Sequence, residues 1–306
     1  MPSAKRNQQP STKAPVEIVD PVWLLRALAI SLAAALLCAW LTACLLFYQG
    51  AWQLVLHPSH TPERTPANIG LTFTSVRFGD FNTGQPHLNG WWIPAQATTQ
   101  SPNAELTVLY LHGGSGSLSD SLSVLSSLHS AGLNVFAIDY RGFGASDSSQ
   151  HPDADRMAED AATALDYLVA TLHITATSIV PMGSGLGAAL AVQLASEHHE
   201  LPAVILDNPD PDPATTAAAA RPSRVIPVRL LFGKRFAIAE PLEHLATPKL
   251  LIATGAPSNP ALSALFGNAA KPSDIVVLPA DNSNAATAAL TDAMQHFLAR
   301  TVPAGR

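Results

Sequence analysis

Ile179-Val180-Pro181-Met182-Gly183-Ser184-Gly185-Leu186-Gly187 is an apolar run that enters a glycine-rich turn, and Leu186–Glu197 continues from it with the composition of a helix. The order strand, tight turn, helix follows directly. Leu106–Leu111, Val135–Ile138, Ser178–Met182, Val204–Leu206, Lys249–Ala253 and Ile275–Leu278 are short, nearly continuous apolar runs of one kind. Strands buried on both faces need such runs, because neither face can be polar. Helical stretches separate them, as in Met157–Leu172, where Ala161, Leu165 and Leu168 share one face. Strands alternating with helices predict right-handed crossovers and a mostly parallel, doubly wound α/β sheet. Ahead of it, Leu71–Arg77 and Leu88–Ile93 flank Asn82-Thr83-Gly84 and predict an N-terminal hairpin. No repeat of 20 to 50 residues is present, which excludes a solenoid or propeller.

The 306 residues are 47% apolar and 13% charged, enough to bury one large core. A net charge of −6, with basic residues grouped no more densely than Lys5-Arg6 and Lys234-Arg235, argues against a nucleic-acid partner. Both cysteines, Cys38 and Cys44, lie in one apolar segment, so the globular part has no thiol for a disulfide, a zinc site or a nucleophile.

From Ala27 to Tyr48 the chain carries no charge, and about 20 such residues in a helix cross the ~30 Å hydrocarbon core of a bilayer. Lys5, Arg6, Lys13 and Arg26 precede the run and only Arg64 follows within twenty residues. That bias predicts a cytoplasmic N-terminus and a globular domain outside the cytoplasm, periplasmic in a Gram-negative cell. Two competing readings stay open. A cleaved signal peptide is opposed by the length of the run and its lack of a small-x-small exit. A lipobox at Leu41-Thr42-Ala43-Cys44 is opposed by Leu45-Leu46-Phe47, which extends the apolar run. The expected organisation is a disordered tail at 1–20, a single-pass anchor at 21–49 and a domain at 50–306. Within the domain, 209–235 is a lid or cap insertion or a floppy connection.

Five segments carry a family likeness: Gly90-Trp91-Trp92-Ile93-Pro94, Tyr110-Leu111-His112-Gly113-Gly114, Asp139-Tyr140-Arg141-Gly142-Phe143-Gly144-Ala145-Ser146, the Ile179–Gly187 turn, and Ala246–Ala253. Together they resemble the α/β-hydrolase superfamily, in its membrane-anchored branch similar to serine aminopeptidase and monoacylglycerol-lipase-like proteins. The resemblance covers nearly everything from residue 50 to 300. It implies that backbone N–H groups of Gly113, Gly114, Ser115 and Leu186 form an oxyanion or ligand-binding hole. It also implies a GxSxG elbow with a nucleophilic serine at its centre, and here that position is Gly185.

The other two triad positions depart from the family as well. No aspartate or glutamate lies between Glu243 and Asp274, and Ser258 falls in the loop where the resemblance places the acid. No histidine lies between His244 and His296, and Ser283 stands where the family has its histidine. A serine hydroxyl is not nucleophilic at neutral pH until an adjacent base takes its proton. The expectation is therefore a degenerate hydrolase that binds a lipid-like, acyl, peptide or carboxylate ligand, or a protein partner, with no cofactor and no metal.

The alternative is an active ester or amide hydrolase using unconventional residues, with Ser184 the weak candidate. His112 is expected to pack and fix its loop. Asp207, Asp210 and Asp212 could supply an acid but have no histidine to orient. His296 reads as a helix-surface residue. His198, His199 and Glu200 point in different directions at a helix end.

Overall fold

The computed structural model describes residues 20–60, 64–96, 104–220, 226–255, 259–280 and 284–302. The tail expected at 1–20 falls, apart from Asp20, outside the described residues. The chain divides into two compact units, residues 1–47 and 48–306. The first contains most of α1 (Pro21–Gly50), whose 30 residues rise about 45 Å. Cys44 is its one buried side chain among the described residues, and Leu28, Ile30 and Leu36 stand exposed. The helix is long and apolar enough to cross a membrane.

In the second unit a 3-10 turn, Ala51–Leu54, leads to β1 (His57–Pro58), β2 (Thr74–Phe78), β3 (Leu88–Ile93), β4 (Thr107–Leu111) and β5 (Ser115–Gly116). Then come α2 (Leu122–Ser130), β6 (Asn134–Asp139), α3 (Ala154–Asp166), β7 (Ile179–Ser184), α4 (Gly187–Glu197) and β8 (Val204–Asp207). The chain ends with α5 (Pro213–Ala220), α6 (Val228–Phe232), α7 (Ala239–His244), β9 (Lys249–Thr254), α8 (Pro260–Asn268), β10 (Ser273–Leu278) and α9 (Asn284–Thr301).

Eight strands form one sheet in the order β10-β9-β8-β7-β4-β6-β3-β2, and β1 pairs with β5 separately. Only the pairings of β3 with β2 and with β6 are antiparallel, as the hairpin reading expects. Side chains alternate across the pleat. Val108 and Tyr110 of β4 join Val180, Met182, Ile205 and Ile252 in a core closed by α2 and α9, while Leu109 and Leu111 bury on the opposite face. The helix expected at 157–172 starts earlier, at Ala154, because Asp153 caps it by accepting the Arg156 N–H at 3.0 Å. It ends in a π turn, Tyr167–Thr171.

The turn after β6 is held by Arg141, whose N–H and Nε donate to the two carboxylate oxygens of the fully buried Asp160 at 2.8 and 2.6 Å. Glu159 pairs with the same guanidinium. Burial still pushes the Asp160 carboxyl up to about 6. The folded protein therefore holds this proton to a higher pH than the unfolded chain does, and the group costs stability as pH rises from about 4 toward 6. Removing its cation deepens that cost. Arg141→Gln should lose about 3 kcal/mol at pH 8 and distinctly less at pH 5, where Asp160 takes up its proton. Denaturant unfolding in detergent micelles at the two pH values measures it; equal losses would refute the assignment.

Candidate functional site

The turn between β7 and α4 brings the strand end, the helix start and the end of β4 into backbone contact. A methyl group on Gly187 would lie 2.2 Å from the Leu111 carbonyl oxygen and 2.5 Å from that of His112. One on Gly183 would lie 2.2 Å from the Gly187 oxygen. Both positions are glycine because backbone occupies the space a Cβ would need. Gly185 differs. Its φ of +55° is left-handed, yet among the described residues a methyl there would meet nothing nearer than the Gly113 Cα at 3.8 Å. Space for a Cβ is present and the Cβ is not.

The four residues expected to offer amides sit around this turn. Gly113 faces Gly185, and Gly114 lies under Leu186, whose Cδ1 would be 2.7 Å from a Cβ on Gly114. The Gly114 carbonyl accepts the His57 N–H at 2.7 Å, through the short β1–β5 pairing that also places the exposed Ser115 opposite His57. The Leu186 N–H, at the start of α4, finds no backbone acceptor among the described residues. A helix N-terminus with an available amide favours carboxylate or phosphate.

His112 packs and fixes this loop. It is 1% exposed, its ring centroid lies 4.6 Å from that of Tyr140 and 5.0 Å from that of Phe143, and its Nδ1 meets the Gly113 oxygen at 2.7 Å. Burial holds its pKa below the usual imidazole value. Its Nε2 lies 3.8 Å from Asp139 Oδ1, beyond hydrogen-bond reach.

Ser184 is tied into a chain of polar groups. Its Oγ donates to Asp207 Oδ2 at 3.0 Å, and the Tyr110 hydroxyl bridges Ser184 Oγ and Ser121 Oγ at 3.2 Å each. Asp207 Oδ1 accepts from Asn208 Nδ2 at 2.8 Å, and Asn208 in turn bonds Thr254 through both its amide nitrogen and its oxygen. Burial raises the pKa of both Asp207 and Tyr110. No histidine is among the hydrogen-bond partners of Ser184 or Asp207 among the described residues. Asp207 also borders a cavity of about 320 Å³ with Asn208, Thr254, Ser127, Leu278 and Leu290.

Sequence reading names Asp207 and Ser184 separately and misses their bond. It arises because they close adjacent parallel strands in register, Ser184 opposite Asp207, a pairing that no pattern in the residues reveals. Asp210 and Asp212 do different work, holding the start of α5 through Thr216 and Thr215. Asp210 also donates its N–H to the Gly185 oxygen at 3.4 Å. His296 is exposed on α9 beside Asp292, and His198 faces Glu200 at 3.2 Å near the surface. Ser258 and Ser283 lie outside the described residues.

A family model described as serine aminopeptidase, S33, matches residues 102–247. The uncharacterized protein Rv2307c of Mycobacterium tuberculosis is 30% identical over 226 residues, covering 72% of this chain and 77% of that protein. The chain belongs to the α/β-hydrolase superfamily. Protein bem46 of Schizosaccharomyces pombe is 35% identical over 112 residues, 36% of this chain and 37% of that protein. Against the uncharacterized protein YfhR of Salmonella typhimurium the identity is 35% over 124 residues, and the match spans only 39% of that relative's length and 40% of this chain. Among solved structures, an esterase of Pyrococcus furiosus superimposes with a TM-score of 0.61 at 20% identity, covering 81% of this chain and 98% of the esterase, a likeness of fold.

For this α/β-hydrolase two of the turn glycines, Gly187 and Gly185, should separate under mutation. Gly187→Ala, forced against two carbonyl oxygens, should cost about 3 kcal/mol. Gly185→Ala, which has room and only a left-handed backbone to strain, should cost about 1 kcal/mol. Thermal unfolding of the two variants measures the difference; equal losses would show that the contact at Gly187 relaxes.

Proposed function

We propose that this α/β-hydrolase-fold protein is held in a membrane by residues 27–48 and uses its β7–α4 turn to bind a lipid-like, acyl or carboxylate ligand without hydrolysing it. The observation that carries the reading is Gly185: a left-handed elbow position where a Cβ would fit, 3.8 Å from the Gly113 Cα among the described residues, with no hydroxyl to attack a carbonyl. The loop amides around Gly113, Gly114, Ser115 and Leu186 need no particular side chain, so anion binding survives the loss of the nucleophile. Ser258 and Ser283, at the acid and histidine positions, leave no base for a restored serine. On the same reading the N-terminus is cytoplasmic, residues 50–306 lie on the other side of the membrane, and 209–235 is a cap over the turn.

A second reading, an active hydrolase using Ser184, is favoured by the 3.0 Å bond from Ser184 Oγ to Asp207. It ranks below the first for a chemical reason. A carboxylate, even one raised by burial, is a far weaker base than imidazole toward a hydroxyl. Ser184 Oγ is also committed to Tyr110 and Asp207 beneath the turn.

The full chain in phospholipid nanodiscs, treated with a fluorophosphonate probe and short acyl esters, should show neither labelling nor turnover, and Gly185→Ser should stay inactive. Stoichiometric labelling abolished by Ser184→Ala would overturn the proposal. A fluorescent dodecanoate should bind saturably, and Gly185→Leu, which fills the open space, should weaken it at least about tenfold, or 1.4 kcal/mol. Binding indifferent to that substitution would place the ligand elsewhere.

A further inference from the structure

The chain enters its second compact unit at Tyr48, the last residue of the uncharged apolar run. Several features of that unit gather at the entry. Arg235 lies over the Tyr48 ring, its Cζ 4.6 Å from the centroid, and its Nη1 donates to the carbonyls of Leu231 and Phe232 at 3.0 and 2.9 Å. The guanidinium thus ties the end of α6 to Tyr48. Trp52 stacks on His151 with centroids 5.1 Å apart, and α5 packs against the Ala51–Leu54 turn. The described parts of the 209–235 segment are therefore built against Tyr48 and the turn that follows the apolar run.

On α6, Val228 and Phe232 are buried and Leu230 is 78% exposed, more than any other large apolar side chain outside α1 among the described residues. One exposed leucine is ordinary on a protein surface; the place of this one is not. Tyrosine and tryptophan sit well at the headgroup level of a bilayer, and long basic side chains reach back from it to water. Here Tyr48 carries the Arg235 guanidinium over its ring, and the same guanidinium holds the Leu231 and Phe232 carbonyls at the end of the helix that bears Leu230.

We infer that α6, with Tyr48 and Trp52, docks the insertion on the surface of the bilayer that holds the chain, Leu230 entering the boundary between headgroups and acyl chains. The inference rests on the reading of residues 27–48 as a membrane span. Covalent continuity selects lipid as the partner. Tyr48 ends that run and Arg235 ties the end of α6 to Tyr48, so on this reading Leu230 lies near the level at which the run leaves the bilayer, and interfacial segments bury about 5–10 Å deep.

Among the described residues, Arg229 pairs with Asp212 at 2.9 Å and Lys234 with Glu240 at 2.8 Å, so the docking is assigned to apolar and aromatic side chains and is tested on neutral lipid. The docked insertion is also the one whose Asp210 N–H reaches the Gly185 carbonyl. An apolar ligand leaving the bilayer would meet it before meeting bulk water.

The test uses the full chain with Cys38→Ala and Cys44→Ala, carrying Leu230→Cys or Asp166→Cys labelled with an environment-sensitive nitrobenzoxadiazole dye. Asp166 is exposed and lies about 18 Å along α3 from Ala154, which borders the cavity beside Tyr48. In nanodiscs of neutral phosphatidylcholine, the probe at 230 should emit at shorter wavelength than the probe at 166. A spin label placed near the headgroups should quench it at least about twofold more, as shallow burial demands. Equal emission and equal quenching at the two positions, in a protein that resists carbonate extraction, would overturn the docking and leave the anchor standing. Release of the protein by carbonate would overturn the span and the docking with it.

Discussion

The backbone of the β7–α4 turn rests directly on the backbone at the end of β4, and the candidate site depends on that contact. It leaves no room for a Cβ at Gly187, where two carbonyl oxygens stand within 2.5 Å of where one would be, or at Gly183, which abuts Gly187 itself. Because strand and helix approach so closely, Gly113 comes to lie against Gly185 and Gly114 beneath Leu186. The amides of two separate loops are gathered into one place by packing that involves no catalytic side chain. On the binding-module reading, loss of the chemistry would leave this architecture undisturbed, because a turn of this kind persists for reasons of packing alone.

Much of this was legible in the residues. Six apolar runs separated by helical stretches are what a sheet buried on both faces demands, and all six are strands in the parallel part of the sheet; β10 departs from the expectation, exposing Ile275 and Val277 because it lies at the sheet edge. The turn glycines were legible because each glycine does a backbone job. The contacts that could not be read are those made by register. Ser184 meets Asp207 only because β7 and β8 end side by side, and Tyr110 reaches Ser184 only because β4 runs along the other edge of β7. The two-residue pairing of β1 with β5 is likewise too short to leave a pattern. It matters all the same, since it lays Val55 and Leu56 over Gly114. The early start of α3 was readable from the Asp153 cap and was missed because the apolar period begins only at Met157.

The polar chain Ser121–Tyr110–Ser184–Asp207–Asn208–Thr254 invites a catalytic interpretation, and its energetics argue for a structural one. Every member has a partner, and at the buried end, Tyr110 and Ser121, that is the condition for a polar network to stabilise a fold. Asp207, whose pKa burial raises, receives bonds on both oxygens from within the chain. A group so occupied has little capacity left for a substrate, whereas Gly185 has only the Gly113 Cα within 4 Å of a Cβ among the described residues.

Glycine at position 185 also changes the balance of stability. A serine held at φ near +55° carries about 1–2 kcal/mol of backbone strain, which an enzyme tolerates because the exposed hydroxyl is useful. On the binding-module reading that benefit is gone while the strain would remain, and glycine removes the strain without moving the loops. On that reading the substitution that would end the chemistry is also the one that relaxes the turn, and without a base nothing in the fold would favour its reversal. The same logic accounts for why the flanking glycines stay: their task is contact between backbones, and that task does not end when the reaction does.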